Sequence, residues 1–100
     1  MPGERPGPGE AITRLEALAA ELDGRGWPAR LGAPPGRLPR LRAANPDAAA
    51  LAENIYAQPV ADGTWWYWWP WAEPIAAEPA GAAEVITRAL RAVTAAGPTP

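Results

Sequence analysis

The sequence predicts a small two-layer α+β domain: helix, four-stranded antiparallel meander, helix, with both helices on one face of the sheet. Three observations lead there. Apolar residues recur at helical spacing near both ends of the chain. Between them lie four short segments of alternating character, separated by turns rich in Gly, Pro and Asn. The last of these, within DGTWWYWWPW from Asp62 to Trp71, holds five of the six tryptophans and one of the two tyrosines. Adjacent tryptophans favour a strand.

Residues 1–9 alternate Pro and Gly and are expected to form a flexible tail. A single domain should span 10–95, with a second tail over 96–100. The first helix is expected from Glu10 to Asp23. Ala11, Leu15, Leu18, Ala19 and Leu22 share a face, Glu10 and Arg14 form an i,i+4 pair, and Gly24 and Gly26 supply left-handed conformations that stop it.

The first strand is expected over Trp27–Leu31. Gly32-Ala33-Pro34-Pro35-Gly36 then turns the chain into a second strand over Leu38–Ala44, with Pro39 at its start because it has no ladder donor. After Asn45-Pro46-Asp47, the segment Leu51–Gln58 is ambiguous. Its alanines favour a helix, but the hairpin signal formed by Pro59, Asp62-Gly63 and the aromatic run favours a strand. The fourth strand is expected from Thr64 to Trp71. Past Pro79 the helical period returns, with Ala82, Ile86, Ala89, Leu90 and Val93 on one face.

Composition sharpens the role of the aromatic strand. Leu, Ile and Val together number 15, there is no Phe, and alanines number 24. The core must therefore be alanine-rich helix packed on tryptophan and a few leucines. Fully burying the clustered rings would remove on the order of 1,000 Å² from water, far more than a soluble monomer exposes in one patch. Alternation along the strand puts Trp65, Tyr67, Trp69 and Trp71 on one face and Trp66 and Trp68 on the other. The first set is assigned to the core, since four rings can substitute for the missing Phe and Leu. Trp66 and Trp68 are left on the open face. The same alternation brings Arg40 and Arg42 there, with Tyr56 between them and the tryptophans. Arg over Trp is a favourable cation–π pair, and Trp, Tyr and Arg dominate interface hot spots.

The segment WWYWWPWAEPI, followed by a terminal helix, resembles small proteins of high-G+C bacteria that end in a WWxWWxW[AG]ExI pattern. The resemblance spans about Leu15 to Leu90, with its specific part at Trp65–Ile75. In that group the position matching Pro70 is often small and polar, which implies an outward even face. No activity comes with the resemblance.

The chain has no Cys, His, Ser or Lys, and all nine basic residues are arginine. Serine and cysteine triads are therefore ruled out, zinc and iron sites are disfavoured, and no cofactor is expected. Two-carboxylate chemistry would have to use Asp62, Glu73 and Glu78 beside the aromatic strand. Asp62 already has a turn role, and a non-enzymatic domain is expected. No apolar leader and no run of about 20 apolar residues predict a cytoplasmic protein without a membrane partner. Nucleic acid is disfavoured by a net charge of −2 and the lack of an RNP-like motif. Protein–protein interaction or homodimerisation through Trp66, Trp68, Tyr56, Arg40 and Arg42 is the expected role. Small-molecule or carbohydrate binding on the same aromatic face is the alternative.

Overall fold

A computed structural model describes residues 8–95. Helix α1 (Pro8–Gly24) leads into β1 (Ala29–Gly32), β2 (Arg40–Asn45), β3 (Ala48–Pro59), β4 (Trp65–Trp68) and β5 (Pro74–Ala76), and α2 (Pro79–Ala95) closes the chain. The strands form one antiparallel sheet in the order β1-β2-β3-β4-β5. The α+β class and the meander are as the sequence predicts, with one strand more. The tail expected over residues 1–9 lies outside the described residues except for Pro8 and Gly9, which belong to α1. That expected over 96–100 lies outside them as well.

Helix α1 stops where a left-handed residue is available. Gly26 has φ 77° and donates to the Asp23 carbonyl at 2.9 Å. Trp27 donates to the Leu22 carbonyl, also at 2.9 Å. This is a Schellman ending, with the hydrophobic pair Trp27 and Leu22 buried beside it. Gly24, expected to share the stop, is still helical.

The ambiguous third segment is a strand and the longest in the sheet, because each half has a partner. Leu41 faces Ile55 and Arg42 faces Asn54 on the β2 side; Tyr56 faces Trp68 and Gln58 faces Trp66 on the β4 side. Pairing with both neighbours outweighs the helical preference of alanine. The β3–β4 turn is longer than a two-residue hairpin. Gly63 (φ 90°) donates to the Val60 carbonyl, and Val60 donates to that of Thr64.

The fourth strand was expected to run to Trp71, but it ends at Trp68. Pro70 has no N–H for the ladder, and the chain reverses over Trp69–Glu73. Ala72 donates to Trp69, and Trp69 donates to Glu73. The reversal returns Pro74–Ala76 alongside β4 as the unexpected fifth strand, an edge position where a leading proline is tolerated.

Both helices cover the face that carries the odd-numbered residues of β2 to β4 and, past the irregularity at Tyr67/Trp68, Ala76 of β5. Leu15, Leu18 and Leu22 of α1 and Ala82, Ala83 and Ile86 of α2 bury against Leu41, Ala43, Ile55, Ala57, Tyr67 and Trp69. Each large side chain so buried contributes roughly 1.5–3 kcal/mol. Ala83 and Thr87 are buried beyond the stripe expected of α2; the Val93 side chain lies outside the described residues. Trp65, Tyr67 and Trp69 take the inward positions expected of them, Trp65 only partly covered. Trp71 does not: the turn lifts it out of the strand, and it is 58% exposed.

Candidate binding face

Among the described residues, no helix lies over the opposite face of the sheet. Its positions follow from the register. Arg30 pairs with Arg42 and Gly32 with Arg40. Arg42 faces Asn54, and Tyr56 faces Trp68. One residue beyond the Leu41–Ile55 pair, Arg40 stands opposite Tyr56. A row across the sheet therefore reads Gly32, Arg40, Tyr56, Trp68, Pro74. All five residues singled out in the sequence, Trp66, Trp68, Tyr56, Arg40 and Arg42, have their backbone positions on this face.

They do not form a single site. Arg40, Tyr56 and Trp68 line a cleft of about 640 Å³ together with Arg37, Leu38, Gln58 and the Trp69–Pro70–Ala72 side of the turn. Arg42 lines a separate depression of about 510 Å³ with Arg30, Asp23 and Ala52. Trp66 lines neither. The cleft sits where β2 starts late: its first residue, Arg40, is level with Tyr56, so Gln58 and Pro59 continue past the end of β2. Leu38, 54% exposed, flanks that step.

The two even tryptophans are half-buried rather than fully open. The Trp68 indole Nε1–H donates to the Gln58 carbonyl at 3.1 Å. Its polar atom is thereby satisfied within the protein, which leaves the ring's π surface as its means of contact. The Arg–Trp stacking expected here is found instead on the helical side: Arg14 lies 5.4 Å from the centroid of Trp65, and Arg91 lies 5.6 Å from that of Trp27.

Charge is segregated between the layers. On the helical layer, Arg14, Arg88 and Arg25, just past the end of α1, pair with Glu10, Glu84 and Glu21 at i,i+4. Among the described residues, Arg30, Arg37, Arg40 and Arg42 have no ion-pair partner. No Asp or Glu occupies an even-numbered position in β1 to β4. A face of this kind can hold anions and flat or apolar groups side by side.

The three carboxylates considered for catalysis do not meet in the cleft, and none lines it. Asp62 accepts from the Thr64 N–H at 2.8 Å, which holds its carboxyl below the ordinary aspartate range. Glu73 accepts from the Trp71 indole at 2.7 Å. Glu78 stands ahead of α2, where its carbonyl accepts the Ala82 N–H. Among the described residues no cluster of three or more potential ligands could hold a metal, and no helix is long and apolar enough to cross a membrane.

Sequence reasoning left Arg37 out of the binding residues and missed Leu38 and the Trp69–Ala72 wall. A signal existed for two of them. Leu38 has no place in the core alternation, and Pro70 marks a turn inside the aromatic run.

No protein-family model, no curated protein and no solved structure matches the chain.

Proposed function

We propose that this chain is a non-catalytic protein-interaction domain that engages its partner, or a second copy of itself, through the open sheet face. One observation carries the reading: arginines with no ion-pair partner among the described residues stand beside an aromatic cleft on a sheet face whose strands place no acidic residue on it. Guanidinium groups without internal partners stay hydrated in the free protein and are available for charge-assisted bonds to a partner. Tyr56 and Trp68 add rigid apolar area at low entropic cost. The absence of Ser, Cys and His from the sequence argues against nucleophilic catalysis.

The test is retention of partners by the wild-type chain and by the Trp66→Ala/Trp68→Ala variant, with light scattering of both to read self-association. Loss of a retained protein, or of a dimer, with unchanged helix content is the expected result. An unfolded double variant would place the even tryptophans in the core and overturn the facing. A folded wild type that neither retains a protein nor self-associates would overturn the interaction reading.

A second reading is favoured by the cleft itself, whose volume of about 640 Å³ falls in the ~300–1,000 Å³ range of small-molecule sites. Saturable quenching of tryptophan fluorescence by a sugar or an aromatic metabolite, with no protein retained, would select it.

A further inference from the structure

Resting on the interaction reading above, we infer that the Arg37/Arg40–Tyr56–Trp68 cleft takes an extended segment of a partner protein bearing a carboxylate three residues from a proline or another apolar side chain. The anion requirement comes from charge. Arg37 and Arg40 line the cleft, and among the described residues neither has an ion-pair partner and no carboxylate lines it. A carboxylate can receive two parallel N–H bonds from one guanidinium.

The spacing comes from the register. Arg40 on β2, Tyr56 on β3 and Trp68 on β4 lie in one row across the sheet. Neighbouring strands are about 4.8 Å apart, so the cationic and aromatic ends of the row are separated by ~10 Å. A polyproline II segment laid across the strands advances about 3.1 Å per residue and turns once every three residues. Its side chains i and i+3 therefore point the same way, ~9 Å apart. An acid at i would meet Arg40 while an apolar residue at i+3 covers Trp68. Aromatic-lined grooves that accept such segments need no new strand pairing.

A peptide fits this face better than a nucleic acid. The unopposed positive region is short, because the neighbouring arginines, Arg30 and Arg42, share their depression with Asp23. The chain as a whole carries −2, which opposes a long polyanion but not one or two carboxylates.

The experiment is selection of a random twelve-residue phage-displayed peptide library on the full chain. Affinities of the enriched peptides are then measured against wild type, Arg40→Glu and Arg40→Gln, with a twelve-nucleotide oligothymidylate as a parallel probe. Arg88→Glu, the same charge change on the helical layer, is the control. Enriched peptides are expected to carry Asp or Glu three residues before or after Pro or an apolar residue. Arg40→Glu should weaken them at least tenfold and Arg40→Gln severalfold, with unchanged unfolding curves, while Arg88→Glu alters them less than threefold. Enriched peptides without an acid, or with affinity indifferent to Arg40, would overturn the inference and leave the interaction reading standing. No enrichment over bare support would also overturn the inference, while the interaction reading would still stand or fall on partner retention and light scattering. Oligothymidylate binding more tightly than any peptide would overturn the inference in favour of single-stranded nucleic acid.

Discussion

The indoles of Trp69 and Trp71 lie parallel, 5.3 Å between centroids and 6° between planes, although Trp69 is buried and Trp71 faces solvent. Their alignment is a product of the turn between them. In a continuing strand, residues two apart stand side by side along one face and both would enter the core. Here Ala72 takes φ 68°, the chain reverses, and Trp71 is held against Trp69 by stacking and by its bond to Glu73. The same turn supplies Trp69, Pro70 and Ala72 to the cleft, so its conformation helps to set the cleft's shape.

Replacing Ala72 by Gly should stabilise the domain. A non-glycine residue in the left-handed region costs roughly 1–2 kcal/mol. Glycine's greater freedom in the unfolded chain offsets part of the gain, about 0.5–1 kcal/mol. The expected net effect is about 0.5–1 kcal/mol, read as a higher urea midpoint with an unchanged slope. A lower midpoint would mean that the alanine methyl makes contacts worth more than the strain.

Tyr67 should make the domain sensitive to alkali. Its hydroxyl donates to the Arg14 carbonyl at 2.5 Å, the residue is 2% exposed, and burial pushes its pKa up to about 12. A phenol in the unfolded chain loses its proton near 10. Between about pH 10 and 12 the native state thus holds a proton that the unfolded state has released, and stability falls as pH rises. Tyr67→Phe should flatten that fall, and at neutral pH it should cost about 1 kcal/mol for the lost hydrogen bond. Urea midpoints at pH 7, 10 and 11 for both proteins check this.

Asp62 works in the opposite pH direction. Its carboxyl is held below the ordinary value of 3.8 by the Thr64 N–H. Below that value the unfolded state takes up the proton first, so the stabilisation is full above about pH 4 and is lost as pH falls through the lowered native pKa. Asp62→Asn retains an acceptor for the turn but cannot titrate. The drop in urea midpoint between pH 7 and pH 2.5 should therefore be smaller in the variant than in wild type.

Leu18 and Leu38 should separate packing from recognition. Leu18 is fully buried in the core, and truncation to Ala should cost about 2–5 kcal/mol, a large part of the ~5–15 kcal/mol available to a small domain. Leu38→Ala, at an exposed position beside the cleft, should change stability by less than about 0.5 kcal/mol. Denaturation of the two variants gives the contrast directly; similar losses would mean that Leu38 is packed rather than displayed.

What the sequence determined by itself was local. Apolar spacing marked both helices, and the five residues Ala11, Leu15, Leu18, Ala19 and Leu22 proposed for the inner face of α1 all lie in or against the core. Alternation along β4 told inward Trp65 and Tyr67 from outward Trp66 and Trp68, because side-chain direction in a strand has a period of two, and it carried one residue past the strand's end to inward Trp69. Tertiary structure decided where the strand stopped and how neighbouring strands were offset. The reversal after Pro70 moved Trp71 out of the core and created β5. The late start of β2 opened the cleft, and the β2–β3 register put Arg40 level with Tyr56 while Arg42 fell in another depression. Pro70 gave the reversal a local signal, but the pairing of β5 with β4 and the offsets of β2 depend on hydrogen-bonded register between segments, which a local pattern of apolar and polar residues does not encode.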